Sequence, residues 1–398
     1  MTEPIDEDAY FQDPAGFFAR LRESGSVVST WIPGLRRQAW VVTRYADVRA
    51  ALTDDRLAKD IHRWPGGGRA WPSQAVNLHA HMLHKDPPDH TRLRRLVQQA
   101  FTPRRAAQLR PRTEEIAAGL LDEVAAAGDD VVELLSGYAR RLPITVLCEL
   151  LGVPIADREW IGVAVVDYGE PEESERVVHE LAAYLTDLVA AKRAEPGDDL
   201  LSALIQARDN GGRGGAETQL SEPELLSAAW QLIMAGFDTT VNLIASGTFA
   251  LLTYPEEMAR LREDPSLLPA AVEELLRFTN PVNHATDRFT VEETRIGDAV
   301  IQPGEWVLLA TSAANRDPER FPDPDRLDLG RDTSGHLAFG HGIHYCVGAP
   351  LARMEAEVAI GALLSRFPGL SLAVPREELR WRATSLMNGL ESLPVRLG

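Results

Sequence analysis

The sequence predicts a mainly α-helical protein that carries small β-sheets. Apolar residues recur with a period of about 3.6 over most of the chain, whereas β-rich segments are short and few. Hydrophobic residues make up 44% of the 398 residues and charged residues 25%, which is ordinary for a folded globular protein. No stretch has the composition of an inter-domain linker, so we expect residues 1–398 to form a single domain.

Several segments combine helical periodicity with start or stop signals. They are Pro14–Ser24, Thr91–Ala100, Pro103–Ala127, Pro143–Leu151, Glu175–Ala194, Glu222–Leu252, Pro269–Phe278 and Ala349–Phe367. Two β-rich pieces, Gln38–Thr43 and Trp306–Ala310, are flanked by Pro or Gly and predict short strands. The glycine clusters Gly66–Gly68 and Gly211–Gly215 predict flexible loops.

The segment Glu222–Leu252 is the longest of the predicted helices. Ser221 and Glu224 have the spacing of a capping box at its start. At about 1.5 Å per residue the helix would span roughly 45 Å, enough to cross a domain and form one wall of a buried cofactor site. Asp238 lies near its middle and would be costly in a bilayer, so we expect a buried helix and no membrane span.

Charge and cysteine content limit the partners and the compartment. The formal net charge of −18 argues against nucleic acid, because binding phosphate needs a positive surface. Cys148 and Cys346 could form only one pair, so no disulfide framework is present and a reducing compartment is expected. The start of the chain, Met1–Asp13, is acidic and polar and does not resemble a signal peptide. We therefore expect a cytoplasmic protein.

The segment Phe339–Gly348, with the sequence FGHGIHYCVG, contains the most specific functional signal. Three glycines surround Cys346 directly before a predicted helix, and glycine permits positive φ and close backbone approach. At a helix N-terminus, free N–H groups and the helix dipole favour a thiolate, which is a soft ligand for iron. A dinucleotide fingerprint is not met, because Tyr345 occupies its last glycine position. A buried structural cysteine is the ordinary alternative, and we adopt it for Cys148.

Phe339, Gly342, Cys346 and Gly348 match the pattern F-x-x-G-x-x-x-C-x-G, which resembles the haem-ligand loop of the cytochromes P-450. The resemblance implies the cytochrome P-450 fold, with heme b (iron protoporphyrin IX) between the long central helix and this loop. It also implies that Cys346 is the axial ligand of the iron and that Phe339 packs beside the sulfur. Gly340, Gly342 and Gly348 would allow close approach of the backbone to the sulfur and the porphyrin.

Glu274 and Arg277 resemble the E-x-x-R pair of the same family. Residues three apart share a helix face and can form an ion pair. The pattern is common, and its position upstream of the cysteine loop gives it meaning. The family joins this pair to a third arginine in a P-x-R-F-like segment, where Arg326 fits although Leu327 replaces the aromatic residue. The resemblance implies that Glu274, Arg277 and Arg326 are structural.

The segment Ala235–Thr240, AGFDTT, resembles the oxygen-activation motif of the family. An aspartate within an apolar helix is costly unless it has a role or a partner. A threonine within a helix can bond to the carbonyl four residues before it and loosen the helix. A solvent-facing polar stripe is the alternative, which the apolar neighbours disfavour. The resemblance implies that Asp238 feeds protons and that Thr239 donates a hydrogen bond during oxygen activation.

His90 and Arg94 resemble the H-x-x-x-R segment that holds the haem propionates. The two residues lie at positions i and i+4, one above the other on a helix. By the same resemblance, Arg288 and His344 occupy the other propionate-binding positions. Buried carboxylates need compensating cations and donors. Taken singly, each of these residues is equally well explained by a surface salt bridge.

Four neighbouring histidines raise the alternative of a non-haem metal site. His79, His81, His84 and His90 match neither H-E-x-x-H nor another compact zinc spacing. Pro72 precedes them and further prolines follow, which predicts an irregular loop. The sequence therefore disfavours a second metal here.

The sequence between Lys85 and Arg112 is basic within an otherwise acidic protein. Its cations are Lys85, Arg92, Arg94, Arg95, Arg104, Arg105, Arg110 and Arg112. The resemblance implies docking of an acidic ferredoxin at this surface, and a solvated helix face is an equal alternative. Because no flavin or nicotinamide fingerprint is present, reducing equivalents would come from a ferredoxin and an NAD(P)H-dependent ferredoxin reductase.

The resemblance also implies a substrate pocket formed by several separate segments. These are Trp64–Leu83, Ile161–Leu181, Val282–Ala285 and Leu386–Asn388, and the residues singled out are Met234, Ala235, Val282, Asn283 and Met387. Their mixture of apolar and polar groups suits a bulky, mostly apolar molecule. The chain resembles actinobacterial members that use O2 to hydroxylate macrolides, other polyketides or steroids in secondary metabolism. A haem-binding sensor or carrier is the alternative, and the Asp238–Thr239 pair argues against it, because such a protein needs no proton relay.

Overall fold

The structure is a computed structural model that describes residues 7–65, 78–98, 101–164, 171–209 and 219–398. The loops predicted around Gly66–Gly68 and Gly211–Gly215 lie outside these residues. Within the described ranges the protein is mainly helical with small sheets, as the sequence predicts. None of the helices in these ranges has both the length and the apolar composition needed to cross a bilayer.

The helices are numbered in chain order. They are α1 (Glu7–Gln12), α2 (Pro14–Ser24), α3 (Tyr45–Ala51), α4 (Asp89–Gln98), α5 (Pro103–Ala126), α6 (Arg141–Leu151), α7 (Arg158–Ala164), α8 (Pro171–Ala194), α9 (Leu200–Asp209), α10 (Glu222–Gly236), α11 (Asp238–Thr253), α12 (Pro255–Glu263), α13 (Leu268–Thr279), α14 (Thr311–Asn315) and α15 (Ala349–Arg366). The predicted helix limits agree to within a few residues where local caps fix them. Thr102 caps α5, for example, and accepts a hydrogen bond from the N–H of Arg105.

The strands form small sheets beside the helices. They are β1 (Val27–Ile32), β2 (Arg37–Val42), β3 (Leu57–Ala58), β4 (Val132–Glu133), β5 (Arg288–Thr290), β6 (Thr294–Ile296), β7 (Ala299–Ile301), β8 (Trp306–Leu309), β9 (Ser371–Leu372) and β10 (Pro394–Arg396). In the described residues the sheets have the orders β1-β2-β8-β5-β3, β4-β10-β9 and β6-β7. The two predicted β segments are neighbours, since β2 pairs in parallel with β8 and Trp40 lies opposite Val307.

The core is built around α11 and α15. Helix α11 contacts α13 and α15, and α15 also contacts α5. Leu243, Ile244 and Ala245 of α11 are all buried, as expected for a helix that crosses the interior. This packing brings the N-terminal ends of α11 and α15 to the same cavity.

The predicted long helix Glu222–Leu252 is interrupted at Phe237, so the prediction of one continuous helix is wrong. The capping box of Ser221 and Glu224 is confirmed at its start. The interruption lies where the Thr239 hydroxyl donates to the Ala235 carbonyl at 3.0 Å. A side chain that takes the acceptor of a backbone hydrogen bond loosens the helix at that turn, so α10 and α11 form two separate helices.

Candidate active site

A cavity of about 1080 Å³ lies between the N-terminal ends of α11 and α15. We call the side formed by residues 338–348 the proximal wall and the side formed by residues 234–243 the distal wall. The predicted site residues that line the cavity are Met234, Ala235, Asp238, Thr239, Val282, Arg288, His90, Arg94, Phe339, Gly340, His344, Cys346, Gly348 and Met387. The fold thus brings together motifs that are far apart in the chain.

Backbone geometry holds the cysteine loop of the proximal wall. The N–H of Cys346 donates to the Phe339 carbonyl at 2.9 Å and closes the loop. Gly340 and Gly342 have φ values of 73° and 75°, in the region that favours glycine. A Cβ atom on Gly342 would lie 2.8 Å from Thr53 Cγ2. The turn therefore requires glycine at these positions, as the sequence predicts.

Cys346 lies deep in the protein, and its side chain is exposed to the cavity and not to the outer surface. Burial raises the pKa of its thiol. Hydrogen bonds from the N–H groups of Gly348 and Ala349, with the charges of Arg94 and Arg353, act to lower the same pKa. The predicted helix-end effect is present, but burial has the larger influence on the thiol. Donors directed at the sulfur are what a thiolate ligand of a metal requires.

An ion-pair network that the sequence analysis missed anchors this loop to α13. Arg353 donates to both carboxylate oxygens of Glu273, and its Nη1 lies 3.2 Å from the Tyr345 hydroxyl. Its guanidinium lies 4.5 Å from the centroid of the Phe339 ring. His336 Nε2 lies 3.0 Å from Glu273 Oε2. No local motif marks Glu273, because its partners come from distant segments.

Glu274 and Arg277 form the predicted ion pair in the interior. Arg277 Nε lies 2.7 Å from Glu274 Oε2, and both side chains are almost fully buried. The predicted third arginine is wrong: Arg326 is exposed and contributes its carbonyl, which accepts from Arg277 at 3.4 Å. The additional cation is Arg331, whose Nε lies 3.2 Å from Glu274 Oε1. Arg331 reaches the pair because the segment turns back on itself after Leu327, which is buried.

Imidazole and guanidinium groups collect at one end of the cavity. The ring centroids of His90, on α4, and His344 are 4.3 Å apart. Burial lowers the pKa of His90 to about 4 and also lowers the pKa of His344. Arg288 donates to the carbonyls of Leu57 and Leu52 at 3.3 and 3.4 Å. Burial lowers the pKa of Arg288 to about 10.

Several side-chain nitrogens at this end have no hydrogen-bond partner among the described residues. Both ring nitrogens of His90 and the Nε of Arg288 are buried without a partner. Lys59, which the sequence analysis did not single out, also lines the cavity and donates to the Thr286 hydroxyl. Unsatisfied buried donors are costly. A soft sulfur on the proximal wall and unpartnered donors at one end fit a haem and its two carboxylates.

Asp238 is buried at the start of α11, and Arg382 is its partner. Arg382 Nη1 lies 2.8 Å from both carboxylate oxygens of Asp238. The side chain of Asp238 is 8% exposed and that of Arg382 is 22% exposed, so the pair is largely withdrawn from water. Arg382 is 144 positions away along the chain, and the local motif could not have indicated it. The neighbouring Thr239 presents its hydroxyl at the helix interruption.

A second buried acid, Glu355 on α15, also lines the cavity. Burial raises the pKa of its carboxyl well above the ordinary value, and a hydrogen bond with Thr240 acts in the opposite direction. The sequence analysis missed this residue, because a glutamate in a helix is more often exposed.

Asn283 does not line the cavity, so its prediction as a pocket residue is wrong. Its amide nitrogen donates to the Ser385 carbonyl at 3.2 Å, and the side chain is buried. The neighbouring Val282 and His284 face the cavity, since successive extended residues point to opposite sides. The predicted segment 161–181 contributes no lining residue in its described part. Residues 66–77 and 165–170 of the predicted pocket lie outside the described residues.

Comparison with known proteins shows a likeness over almost the whole chain. The family profile described as Cytochrome P-450 matches residues 172–372. Cytochrome P-450 107B1 of Saccharopolyspora erythraea is 49% identical, and the alignment covers 98% of this chain and 97% of that protein. The 6-deoxyerythronolide B hydroxylase of the same organism is 45% identical, with 99% of this chain and 98% of that protein covered.

The likeness extends to three-dimensional structure. The solved structure of the tirandamycin C-bound P-450 monooxygenase TamI matches with a TM-score of 0.90 at 46% identity. This match covers 98% of this chain and 99% of that chain. This chain therefore has the same fold as the monooxygenase TamI.

Proposed function

This chain belongs to the cytochrome P-450 family of haem-thiolate monooxygenases, and we propose that it hydroxylates a bulky, mostly apolar polyketide, macrolide or steroid. Residues 1–398 would act as one catalytic domain that contains heme b. Thiolate-bound haem supplies the activation of O2 and the insertion of one of its oxygen atoms into substrate.

We assign the haem-binding roles to the groups that converge on the cavity. Cys346 would provide the thiolate, supported by the N–H groups of Gly348 and Ala349. The propionates would be held by His90, Arg94, Arg288 and His344, and the proximal face would be shaped by Phe339, Gly340 and Gly348. The unpartnered nitrogens of His90 and Arg288 support this assignment, because buried donors need acceptors. Glu274 and Arg277 would keep the proximal side in place.

The observation that carries the proposal is an acid and an alcohol on the distal wall, facing the same cavity as the cysteine sulfur. A hydroxyl both donates and accepts, so Thr239 Oγ1 can pass a proton onward while it remains hydrogen-bonded. The carboxylate of Asp238 belongs to the neighbouring residue. It would deliver protons when its contact with Arg382 loosens. A haem-binding sensor or carrier needs neither group, so this pair favours an oxygenase.

The names of the relatives support the proposed class of substrate. Relatives of 44–45% identity include a mycinamicin IV hydroxylase/epoxidase, a 6-deoxyerythronolide B hydroxylase and a vitamin D(3) 25-hydroxylase. The cavity of about 1080 Å³ exceeds the range of about 300–1,000 Å³ that is typical of ligand sites, as expected if it holds both haem and a bulky substrate. Met234, Val282 and Met387 supply apolar lining, and His284 adds a polar group. We therefore propose a substrate with a large apolar body and a few polar groups.

We propose that a separate ferredoxin, reduced by an NAD(P)H-dependent ferredoxin reductase, delivers electrons at the proximal surface. Part of the basic surface is already neutralised, because Lys85, Arg92, Arg110 and Arg112 form ion pairs with acids of the chain. Arg104 is exposed. Fewer basic residues would therefore be available to dock the ferredoxin than the segment contains.

A screen of ferric protein against macrolide aglycones, linear polyketides and steroids tests the substrate proposal. Binding next to the haem is expected to change its absorption spectrum, and incubation with a surrogate ferredoxin, its reductase and NADPH should yield a product heavier by one oxygen atom. Incorporation of label from 18O2 would identify the source of that atom. Tight binders that give no oxygenated product in a reconstituted, reducing system would contradict the proposal.

The distal assignment is tested by Thr239→Ala. The variant should bind substrate like the wild type but divert reducing equivalents to hydrogen peroxide, because a hydrogen bond near the reacting oxygen is lost. Thr253→Ala is the matched control, since Thr253 also bonds back to a carbonyl of α11, that of Ala250 at 2.9 Å, but lies outside the cavity. Equal coupling of NADPH to product in both variants would remove Thr239 from its role.

A further inference from the structure

Three histidines cluster on the cavity wall, outside the groups assigned so far. His79, His81 and His84 all line the cavity, and one ring nitrogen from each lies within 4.8 Å of the others. The sequence analysis disfavoured a non-haem metal here, because the spacing matches no compact zinc motif. His90, the fourth histidine of that group, pairs with His344 instead.

The local backbone explains why this irregular spacing converges. Met82–His84 forms a 3₁₀ turn, and His81 is the residue that precedes it. Side chains three residues apart eclipse one another in a 3₁₀ helix, so His81 and His84 come together with ring centroids 4.8 Å apart. The rings are inclined by 69°. His79 adds a third ring, 5.2 Å from that of His84 and inclined by 72°.

We propose that His79, His81 and His84 bind one divalent transition-metal ion, with zinc as the preferred ion. Three imidazole nitrogens with an open fourth position are a donor set that zinc takes in proteins. The fourth position faces the cavity, because all three side chains line it. A water molecule or an oxygen atom of a bound molecule would complete the coordination.

The positions of the three rings suit a metal. Tetrahedral zinc with Zn–N bonds of about 2.0–2.1 Å places its nitrogens roughly 3.4 Å apart, so the rings need only a modest approach. The Nδ1 of His81 is buried and has no hydrogen-bond partner among the described residues.

Two lysines near the cluster oppose a cation, and the structure compensates for both in part. Lys85 pairs with Asp60, with Nζ 3.1 Å from Oδ2. Lys59 donates to the hydroxyl of Thr286. Asp86 accepts from the backbone N–H of Lys59 and also pairs with Arg63, with Nη1 3.0 Å from Oδ2. The positive charge that an incoming ion meets is therefore reduced.

Zinc binding is tested on tag-free holoenzyme that has been stripped with a chelator and desalted. Calorimetric titration and elemental analysis are expected to give one zinc per haem in addition to iron. His81→Gln and His84→Gln should each raise the Kd for zinc at least about tenfold. His62→Gln is the control, because His62 is exposed and lies outside the cavity lining. Absence of stoichiometric zinc, or an unchanged Kd in the His84 variant, would overturn the proposal.

X-ray absorption at the zinc edge identifies the ligands in the wild type and needs no variant. Imidazole nitrogens at about 2.0–2.1 Å are expected, and a sulfur at about 2.3 Å would assign the zinc to a cysteine and overturn the proposal. The carbon monoxide spectrum of the same sample reports the haem thiolate separately. A protein that lacks zinc but retains that spectrum would refute the histidine site and leave the proposed monooxygenase intact.

Discussion

The buried groups behind the proximal wall and the groups of the distal wall are hydrogen-bonded in different ways. On the proximal side, Arg277 donates to Glu274 and to the carbonyls of Asn315 and Pro324, and Glu274 also accepts from the backbone N–H of Asp328. On the distal side, the carboxylate of Asp238 has one cationic partner among the described residues, Arg382, which comes from a distant segment. We therefore expect the groups behind the proximal wall to act as a fixed scaffold and Asp238, on the distal wall, to exchange partners during the proposed reaction.

The proximal scaffold is broken most severely by Arg277→Ala. Removing this guanidinium leaves Glu274 as a charge buried without its main partner, so the free energy of unfolding should fall by about 3–5 kcal/mol. Urea unfolding of the haem-loaded protein measures the loss. The distal variants described below should cost less, and an equal or smaller loss for Arg277→Ala would contradict the contrast between the two walls.

Two matched variants test whether Arg331 or Arg326 is the additional cation beside Glu274. Arg331→Ala removes a cation that touches Glu274, while Arg326→Ala removes an exposed side chain and should change the free energy of unfolding by no more than about 0.5 kcal/mol. If Arg326→Ala proved the more damaging of the two, the assignment of Arg331 as the additional cation would be wrong.

On the distal side, Arg382→Gln should have a smaller effect on stability and a larger one on coupling. Because the Arg382 side chain is partly exposed, we expect a loss of about 1–3 kcal/mol. A double-mutant cycle with Asp238→Asn isolates the interaction of the two residues. Peroxide release per NADPH should change in Arg382→Gln and stay at the wild-type value in Arg326→Ala, because Arg326 is exposed and lies outside the cavity lining. A zero coupling energy would show that the ion pair is not formed in solution.

The pH dependence of stability provides a finer comparison. Burial acts to raise the pKa of Glu273, but hydrogen bonds from His336 and Arg353 outweigh it and lower that pKa from 4.5 to about 2. A lowered folded-state pKa stabilises the protein above pH 4.5, and this stabilisation is lost as the pH falls toward 2. The rise in free energy of unfolding from about pH 2 to above pH 4.5 should be about 1–2 kcal/mol smaller in Glu273→Gln than in the wild type. It should be unchanged in Glu256→Gln, because Glu256 lies on the exposed face of α12. Parallel curves of unfolding free energy against pH for Glu273→Gln and the wild type would argue against the anchoring network.

Features that depend on neighbouring residues could be predicted from the sequence. The mainly helical fold, the capping box of Ser221 and Glu224, and the positive φ of Gly340 and Gly342 follow from local chemistry. The cysteine loop and the Asp238–Thr239 pair were found for the same reason, since each is contiguous in the chain. Their catalytic roles remain predictions.

Features that depend on distant contacts could not be predicted in this way. Arg331 contacts Glu274 across 57 positions and Arg382 contacts Asp238 across 144, and no spacing rule connects them. The interruption at Phe237 depends on which carbonyl the Thr239 hydroxyl selects. Asn283 was assigned to the pocket because its neighbours belong there, but its side chain points to the opposite side.

We propose that Cys346 presents its sulfur to a haem iron at the proximal wall. The most direct measurement is the absorption spectrum of reduced, haem-loaded protein under carbon monoxide, recorded for the wild type and for Cys346→Ala. We predict a red-shifted Soret band typical of thiolate-bound haem in the wild type and its loss in the variant. A wild-type band at the shorter wavelength of histidine-ligated haem, in protein that remains folded, would contradict the account.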